Sequence, residues 1–223
     1  MSIQQLEFIE RTTGENPTHS IIWLHGLGAD GHDFEAIVPE LSLPASANYR
    51  FLFPHAPFQA ITVNKGQIMR GWYDIRSTDI DRQEDFEGIH DSTIALMGLI
   101  EGEIERGIPS ENIVIAGFSQ GGVVALNTGL RYQSKLAGIM ALSTYLPSHE
   151  AFPENAHDEN KATPIFMAHG TADDVIDVSI GEKSKAKLES MDYPVEWHSY
   201  PIAHGVGPDE LDAISEWLQK VLK

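Results

Sequence analysis

The segment at residues 117–121 (GFSQG) places a serine between two glycines, where a strand pattern gives way to a helix pattern. The apolar run 112–116 precedes it, and 122–126 (GVVAL) follows as a helix. In so tight a turn the serine takes strained backbone dihedrals, and only small residues fit two positions before and after it. The hydroxyl is exposed at the helix N-terminus, where partial positive charge favours developing negative charge. We therefore predict that Ser119 is a nucleophile; the alternative is a glycine-rich turn with Ser119 as helix cap.

The candidate base is His204, in residues 203–207 (AHGVG) between the last predicted strand and the last predicted helix. A serine hydroxyl is a poor nucleophile unless a base removes its proton. Hydrolases with this kind of turn carry serine, acid and histidine in that chain order. His198 lies inside a strand pattern and His169 ends an earlier strand. We expect both of those histidines to be packed or structural.

Three carboxylates compete for the role of orienting this base. Asp173 and Asp174 both follow the predicted strand at 164–168, whereas Asp177 precedes a predicted helix and suits a helix cap. The acid of such a site holds the imidazole in the tautomer that can accept the serine proton. The residue pattern separates Asp173 from Asp174 only weakly.

A glycine-rich loop at residues 25–31 (HGLGADG) directly follows an early predicted strand. Backbone N–H groups of such a loop can face a reacting carbonyl, and we expect the donors to be Leu27 and Gln120. The loop matches neither of the usual nucleotide-binding glycine patterns. No pair of histidines has the spacing of a helical zinc site. We predict neither a metal nor a cofactor.

The elements that must position these residues are short apolar runs alternating with longer helical patterns. Predicted strands lie at 20–24, 50–53, 112–116, 136–142, 164–168 and 195–200. Predicted helices lie at 33–41 with Asp33 as N-cap, at 87–106, from 122, from a capping box at 179–182, and from 207–210 with proline in its first turn. This alternation predicts an α/β fold, a mostly parallel sheet with helices on both faces.

Two stretches, 56–86 and 144–163, carry no clear pattern. Unpatterned segments of that length inside a compact domain are usually functional or mobile. The first contains Trp72, Tyr73 and Asp74, and we predict that it forms a mobile rim or lid beside a pocket.

Length and composition exclude several classes of protein. The chain has 223 residues, 42% of them hydrophobic and none of them cysteine, with a formal net charge of −18. We expect one domain over residues 1–223, without disulfides or a cysteine nucleophile. The negative charge argues against binding nucleic acid or anionic lipid. Neither a leader pattern nor a long apolar run is present, so we expect a soluble cytoplasmic protein.

The ordered set of these segments resembles the acyl-protein thioesterase/carboxylesterase branch of the α/β-hydrolases. The segments that carry the resemblance are 25–34, 54–57 (PHAP), 72–75 (WYDI), 117–122, His169-Gly170 with Asp173, and Ala203-His204. They run in order from about Ile21 to the C-terminus.

The resemblance implies a small hydrolase without a large cap domain, often dimeric, that cleaves carboxylic esters and thioesters, including lysophospholipids and S-acylated proteins. Carried over residue by residue, it implies a triad of Ser119, Asp173 and His204. It also implies oxyanion donors at Leu27 and Gln120, and substrate contacts from Leu27 and Trp72. Three departures bear on loop rigidity and substrate preference: Gly205 replaces a common serine, Asp174 a frequent proline, and residues 28–31 read GADG instead of GDTG.

Two other functions stay open on the sequence. One is a catalytically inactive binding module with the same fold, which loss of a triad residue would favour. The other is a lipase or a peptidase, because a fold alone does not select the substrate.

Overall fold

The computed structural model describes residues 6–44, 47–77, 84–147 and 156–223. A seven-stranded sheet forms its centre, in the order β1-β3-β2-β6-β7-β8-β9, and a two-stranded hairpin, β4-β5, stands apart from it. The strands are β1 Phe8–Thr12, β2 His19–Leu24, β3 Tyr49–Pro54, β4 Phe58–Ile61, β5 Gln67–Arg70, β6 Ile113–Phe118, β7 Gly138–Leu142, β8 Ile165–Gly170 and β9 Val195–Tyr200. All pairs in the large sheet are parallel except β1 with β3. The predicted α/β architecture is confirmed.

The central strands are apolar on both faces because helices cover both sides of the sheet. Along β6, Ile113 and Ile115 belong to one hydrophobic core, while Val114 and Ala116 belong to the other. The described residues form four α-helices, which are α1 Phe86–Glu105, α2 Gln120–Gly129, α3 Val178–Ser190 and α4 Pro208–Val221. The first three contribute side chains to the first core and α4 to the second.

Two helix boundaries differ from those predicted. The segment predicted as a helix at 33–41 is a 3-10 helix, Glu35–Glu40, whose N-cap is Phe34 and not Asp33. Pro39 lies inside it, and a proline removes an amide donor and restricts continuation as an α-helix. Helix α3 begins two residues earlier than a cap at Ser179 would give, because the Asp177 carboxylate accepts from the Ser179 N–H and caps the helix. The capping box predicted at residues 179–182 is therefore wrong, and the cap role considered for Asp177 is confirmed.

Three strands were missed by the sequence patterns. β1 lies at the sheet edge and is half-buried or exposed along its length, so its apolar pattern is weak. β4 and β5 have four residues each and lie within the stretch 56–86. In the other unpatterned stretch, the described residues form one 3-10 helix, Asp158–Asn160. Residues 78–83 and 148–155 lie outside the described residues.

Glu210, in the first turn of α4, is a fully buried carboxyl group. Neither carboxylate oxygen has a hydrogen-bond partner of normal geometry within the part of the chain that the structure describes. Burial raises the pKa of Glu210 to about 7, against a smaller opposing effect of the nearby Gly207 N–H. The folded state therefore holds a proton on Glu210 that the unfolded chain loses near pH 4.5.

Glu210→Gln is expected to gain stability relative to the wild type as the pH rises from about 4.5 to 7. In that window the folded wild type binds more protons than the unfolded chain, so its free energy of unfolding falls with rising pH. The full gain is about 3 kcal/mol at most. Urea unfolding at pH 4.5, 6, 7 and 8 measures it. Asp209→Asn, which changes an exposed carboxylate one residue earlier, is the control. A wild-type-to-variant difference that stays constant across this range would contradict the prediction.

Candidate active site

Ser119 lies in the turn between β6 and α2 with φ 53° and ψ −119°. A non-glycine residue at positive φ is strained, at a cost of about 1–3 kcal/mol, and persists only where its surroundings fix it. Here the Ser119 N–H donates to the Leu142 carbonyl at 2.8 Å, and the Thr144 hydroxyl donates to the Ser119 carbonyl at 2.7 Å. The hydroxyl of Ser119 makes no helix-capping bond, so the alternative hypothesis of a serine whose side chain caps the helix is not supported.

The glycines around this serine are required by close backbone contacts. A Cβ atom at Gly117 would overlap the carbonyl of Gly121, and one at Gly121 would lie 2.6 Å from the His25 carbonyl oxygen. A Cβ atom at Gly26 would lie 3.5 Å from the Ser119 Cβ. The glycine-rich loop therefore passes directly beside the candidate nucleophile.

His204 and Asp173 form a hydrogen-bonded pair. The distance from His204 Nδ1 to Asp173 Oδ2 is 2.7 Å, and the side chains are 15% and 0% exposed. The other carboxylate oxygen accepts from the N–H groups of Val175 and Ile176, each at 2.9 Å. Because Nδ1 donates to the carboxylate, Nε2 of His204 is left with a lone pair that can accept a proton.

The His204 ring also reaches the nucleophile turn. Its centroid lies 4.7 Å from that of Phe118, the residue immediately before Ser119. Ser119, Asp173 and His204 follow the carboxyl ends of β6, β8 and β9, which are parallel strands of one sheet, and His204 contacts the residue that precedes Ser119.

The competing residues make other contacts than the His204–Asp173 pair. Asp174 is exposed, and the carboxylate bonded to His204 is that of Asp173. His198 is bonded to Glu196 at 3.0 Å and stacks on Phe166. His169 is buried beneath residues 171–177, the loop between β8 and α3 that carries Asp173 and is called the acid loop below.

Of the two predicted oxyanion donors, Gln120 directly follows the serine, and Leu27 follows Gly26, which lies beside it. The Gly28 N–H donates a hydrogen bond to the Arg70 carbonyl at 2.8 Å. The Leu27 N–H, one residue earlier, has no acceptor among the described residues. Gln120 is the first residue of α2, and the first N–H groups of a helix have no partner within it. Both amides are therefore free to donate to a bound group.

His25 fixes the shape of the glycine-rich loop. Its Nε2 accepts from the Ala56 N–H at 3.0 Å, so its Nδ1 carries the proton that bonds the Gly26 carbonyl at 2.7 Å. Burial lowers the pKa of His25 to about 4, so the ring is neutral near pH 7. Sequence reasoning placed His25 in the loop without this role.

The rim segment is fastened to the site by two side chains. The Trp72 indole N–H donates to the His25 carbonyl at 2.8 Å, and the ring is 2% exposed. The side-chain amide of Gln120 accepts from the Trp72 N–H through its oxygen at 2.8 Å and donates to the Tyr73 carbonyl through its nitrogen at 2.6 Å. A Cβ atom at Gly71 would lie 3.1 Å from Leu27 Cδ1. The rim therefore touches the loop and the nucleophile turn, while its mobility stays a prediction.

The sequence analysis missed the side chains of Gln120 and Thr144. Gln120 drew attention only through its backbone amide. Thr144 follows the apolar run of β7 and carries no motif of its own, so nothing in the pattern marked it.

Neither a cluster of metal-binding side chains nor a membrane-spanning helix is present among the described residues. Residues 6–44, 47–77, 84–147 and 156–223 contain no group of three or more His, Cys, Asp or Glu side chains that could hold a metal ion. Over the same ranges, no helix has the length and apolar character that crossing a membrane requires.

Comparison with known proteins gives consistent matches over almost the whole chain. A family model described as Phospholipase/Carboxylesterase matches residues 6–222. Acyl-protein thioesterase 1 of Neurospora crassa is 42% identical over 214 residues, which cover 92% of this chain and 87% of that protein.

Solved structures share the fold. SOBER1 of Arabidopsis thaliana superposes with a TM-score of 0.87 at 31% identity, covering 92% of this chain and 99% of that one. Acyl-protein thioesterase 2 of Zea mays superposes with a TM-score of 0.83 at 25% identity, covering 96% and 99%.

Proposed function

The chain belongs to the phospholipase/carboxylesterase family, and on that premise we propose that it is a serine hydrolase that cleaves carboxylic esters and thioesters through an acyl-enzyme. The observation that carries the proposal is the 2.7 Å bond between His204 and Asp173, with the imidazole packed beside the strained turn of Ser119. This arrangement supplies a nucleophile, a base and an orienting acid in one place.

In the first step, His204 Nε2 removes the proton of the Ser119 hydroxyl, and Oγ attacks the acyl carbonyl. The Leu27 and Gln120 amides donate to the oxygen that becomes negative in the tetrahedral intermediate. His204 then protonates the departing alcohol or thiol as the bond to the acyl carbon breaks. Water repeats this sequence on the acyl-enzyme, and Ser119 is regenerated.

Each supporting residue has a defined task in this proposal. Asp173 holds the tautomer of His204 and stabilises its charged form. Leu27 contacts the acyl group, and Trp72, which is buried, helps to form the wall of the acyl site behind it. No step needs a cofactor or a metal.

The relatives direct the choice of substrate class. The curated relatives are acyl-protein thioesterases, and we extend the proposal to S-acylated proteins and small thioesters, with lysophospholipids as a further class of ester. A chain-length series of p-nitrophenyl esters, run beside an acyl-thioester of matched chain, tests this. Measurable kcat/KM on both classes is expected. Hydrolysis of peptides, without hydrolysis of either the esters or the thioester, would contradict it.

The value of kcat/KM is expected to rise with pH through a single ionisation between about pH 6 and 7.5, the usual range for imidazoles. A base must be neutral to accept the serine proton, so activity is lost at lower pH. His25 does not contribute a step in this range, because its pKa is lowered to about 4. Stopped assays of one short ester from pH 5 to 9, with and without EDTA, measure the profile. Loss of activity in EDTA and its return with zinc would contradict the mechanism.

A further inference from the structure

His169, the next-to-last residue of β8, lies directly beneath the acid loop. Its side chain is 1% exposed. Its Nε2 lies 2.8 Å from the Ile176 carbonyl oxygen and 3.4 Å from Asp173 Oδ2. This carboxylate oxygen is the same one that accepts from His204.

Helix α3 and strand β9 hold this ring in place. A Cβ atom at Gly181 would lie 2.6 Å from His169 Nδ1, so α3 packs against the ring with no side chain between them. The indole of Trp197 is stacked on the ring with centroids 6.2 Å apart. The imidazole therefore has no room to rotate away from the acid loop.

The hydrogen bonds fix the tautomer of His169. A carbonyl oxygen only accepts, so Nε2 carries the hydrogen that bonds Ile176. Nδ1 is buried and has no partner within the part of the chain described here. A proton on Nδ1 would be buried without an acceptor, which is costly. The ring is thus a neutral donor aimed at the acid loop through Nε2.

Ile176 connects this donor to the acid by a second route. Its N–H donates to Asp173 Oδ1 at 2.9 Å, while its carbonyl accepts from His169. The peptide unit on each side of Ile176 is therefore held, and with it the turn that carries the carboxylate. Oδ2 is left directed at His204.

We propose that His169 is a positioning residue for the acid, which holds the Asp173 carboxylate at the orientation that His204 requires. The proposal rests on the triad proposed above and assigns to a fourth residue a task within it. His169 touches neither substrate nor the reacting atoms, and it acts only through Asp173 and Ile176.

This role predicts an effect on the pH profile. The charged and titratable groups around His169 are Asp173 on the acid loop, Asp177 at the start of α3, and His204 beyond the carboxylate. His169 Nε2 lies 3.4 Å from Oδ2, and its hydrogen bonds the Ile176 carbonyl that fixes the turn. Without these contacts the carboxylate faces His204 less directly and stabilises its charged form less, so the midpoint of kcat/KM moves to lower pH.

The test compares His169→Leu with His169→Gln. Leucine removes the donor, whereas the glutamine amide places an N–H at about the position of Nε2. His169→Leu is expected to lose about 10- to 100-fold in kcat on a short ester, the size of loss that a misplacement of about 1 Å causes. Its KM is expected to stay within threefold of the wild type, and its pH midpoint is expected to fall. His169→Gln is expected to stay within about fivefold of the wild type and to keep its midpoint. If circular dichroism shows that His169→Leu does not fold, His169→Asn replaces it. The shorter asparagine side chain reaches only to the position of Nδ1, so it places no N–H at the position of Nε2.

A double-mutant cycle separates this role from general damage to the fold. In an Asp173→Asn background, His169→Leu is expected to cost less than about threefold, because its target is already lost. A full additive loss in that background would overturn the proposal, and so would an unchanged kcat and midpoint in His169→Leu alone. If Ser119→Ala and His204→Ala are inactive, either of these two results overturns only the role of His169. Activity retained in those two variants overturns the proposed function instead.

Discussion

Ser119→Ala is expected to leave a folded protein that has lost at least about 10³-fold in kcat for ester hydrolysis. The substitution removes only the hydroxyl group, which makes no capping bond to α2. The turn itself is held by the Ser119 N–H, which donates to the Leu142 carbonyl, and by the Ser119 carbonyl, which accepts from the Thr144 hydroxyl, and alanine preserves both bonds. Without the hydroxyl no acyl-enzyme can form. Steady-state hydrolysis of one short-chain ester measures the loss, and thermal unfolding checks the fold.

Ser143→Ala is the matched control for this variant. Ser143 is also a buried serine at positive φ, 45°, and it lies at the end of the neighbouring strand β7. Its hydroxyl has no hydrogen-bond partner among the described residues. Activity within about threefold of the wild type is expected. Near-normal turnover in Ser119→Ala would remove the assignment of the nucleophile.

Asp173→Asn is expected to lose at least about 10²-fold in kcat. The carboxylate is fully buried and bonded to His204 Nδ1 at 2.7 Å. An amide in its place can present its NH₂ group to Nδ1, which favours the wrong tautomer, and it cannot stabilise the charged imidazole. The corresponding change in a serine protease costs about 10⁴ in kcat. The assay is the same short ester, with circular dichroism to check folding.

Asp174→Asn is the natural comparison, since it alters the adjacent carboxylate. Asp174 is exposed, so its charge acts on the site only through screened long-range interaction. A change of less than about tenfold in kcat is expected. If Asp174→Asn proves the more damaging of the two, the roles of the two residues must be exchanged.

The fold was predictable wherever burial imposes a continuous apolar run. Strands β6 and β8 are buried on both faces, and their short, continuous apolar sequences predict buried strands. β1 fails this criterion because it is an edge strand that alternates poorly. The hairpin β4–β5 fails because its strands are too short for a period to emerge. Pro39 shows how one residue changes a predicted α-helix to a 3-10 segment.

The site was predictable as far as motifs mark reactive groups. The glycines around Ser119 mark the turn, and the loops after β8 and β9 mark Asp173 and His204. The residue pattern alone separated Asp173 from Asp174 only weakly, the resemblance favoured Asp173, and the structure bonds its carboxylate to His204. The Gln120 side chain contacts Trp72 and Tyr73, far away in the chain, and the contacts of His169 depend on how the loop to Ile176 folds back, so no local pattern records either.

Labelling with a fluorophosphonate tests the central claim most directly, because such a probe phosphonylates a serine only when a base activates it. Mass spectrometry of the intact protein, followed by peptide mapping, measures both the number of adducts and their position. We predict one adduct per chain on Ser119, much slower labelling of Asp173→Asn, and none on Ser119→Ala. An active wild-type protein that takes up no probe, or takes it up at another residue, would contradict the account.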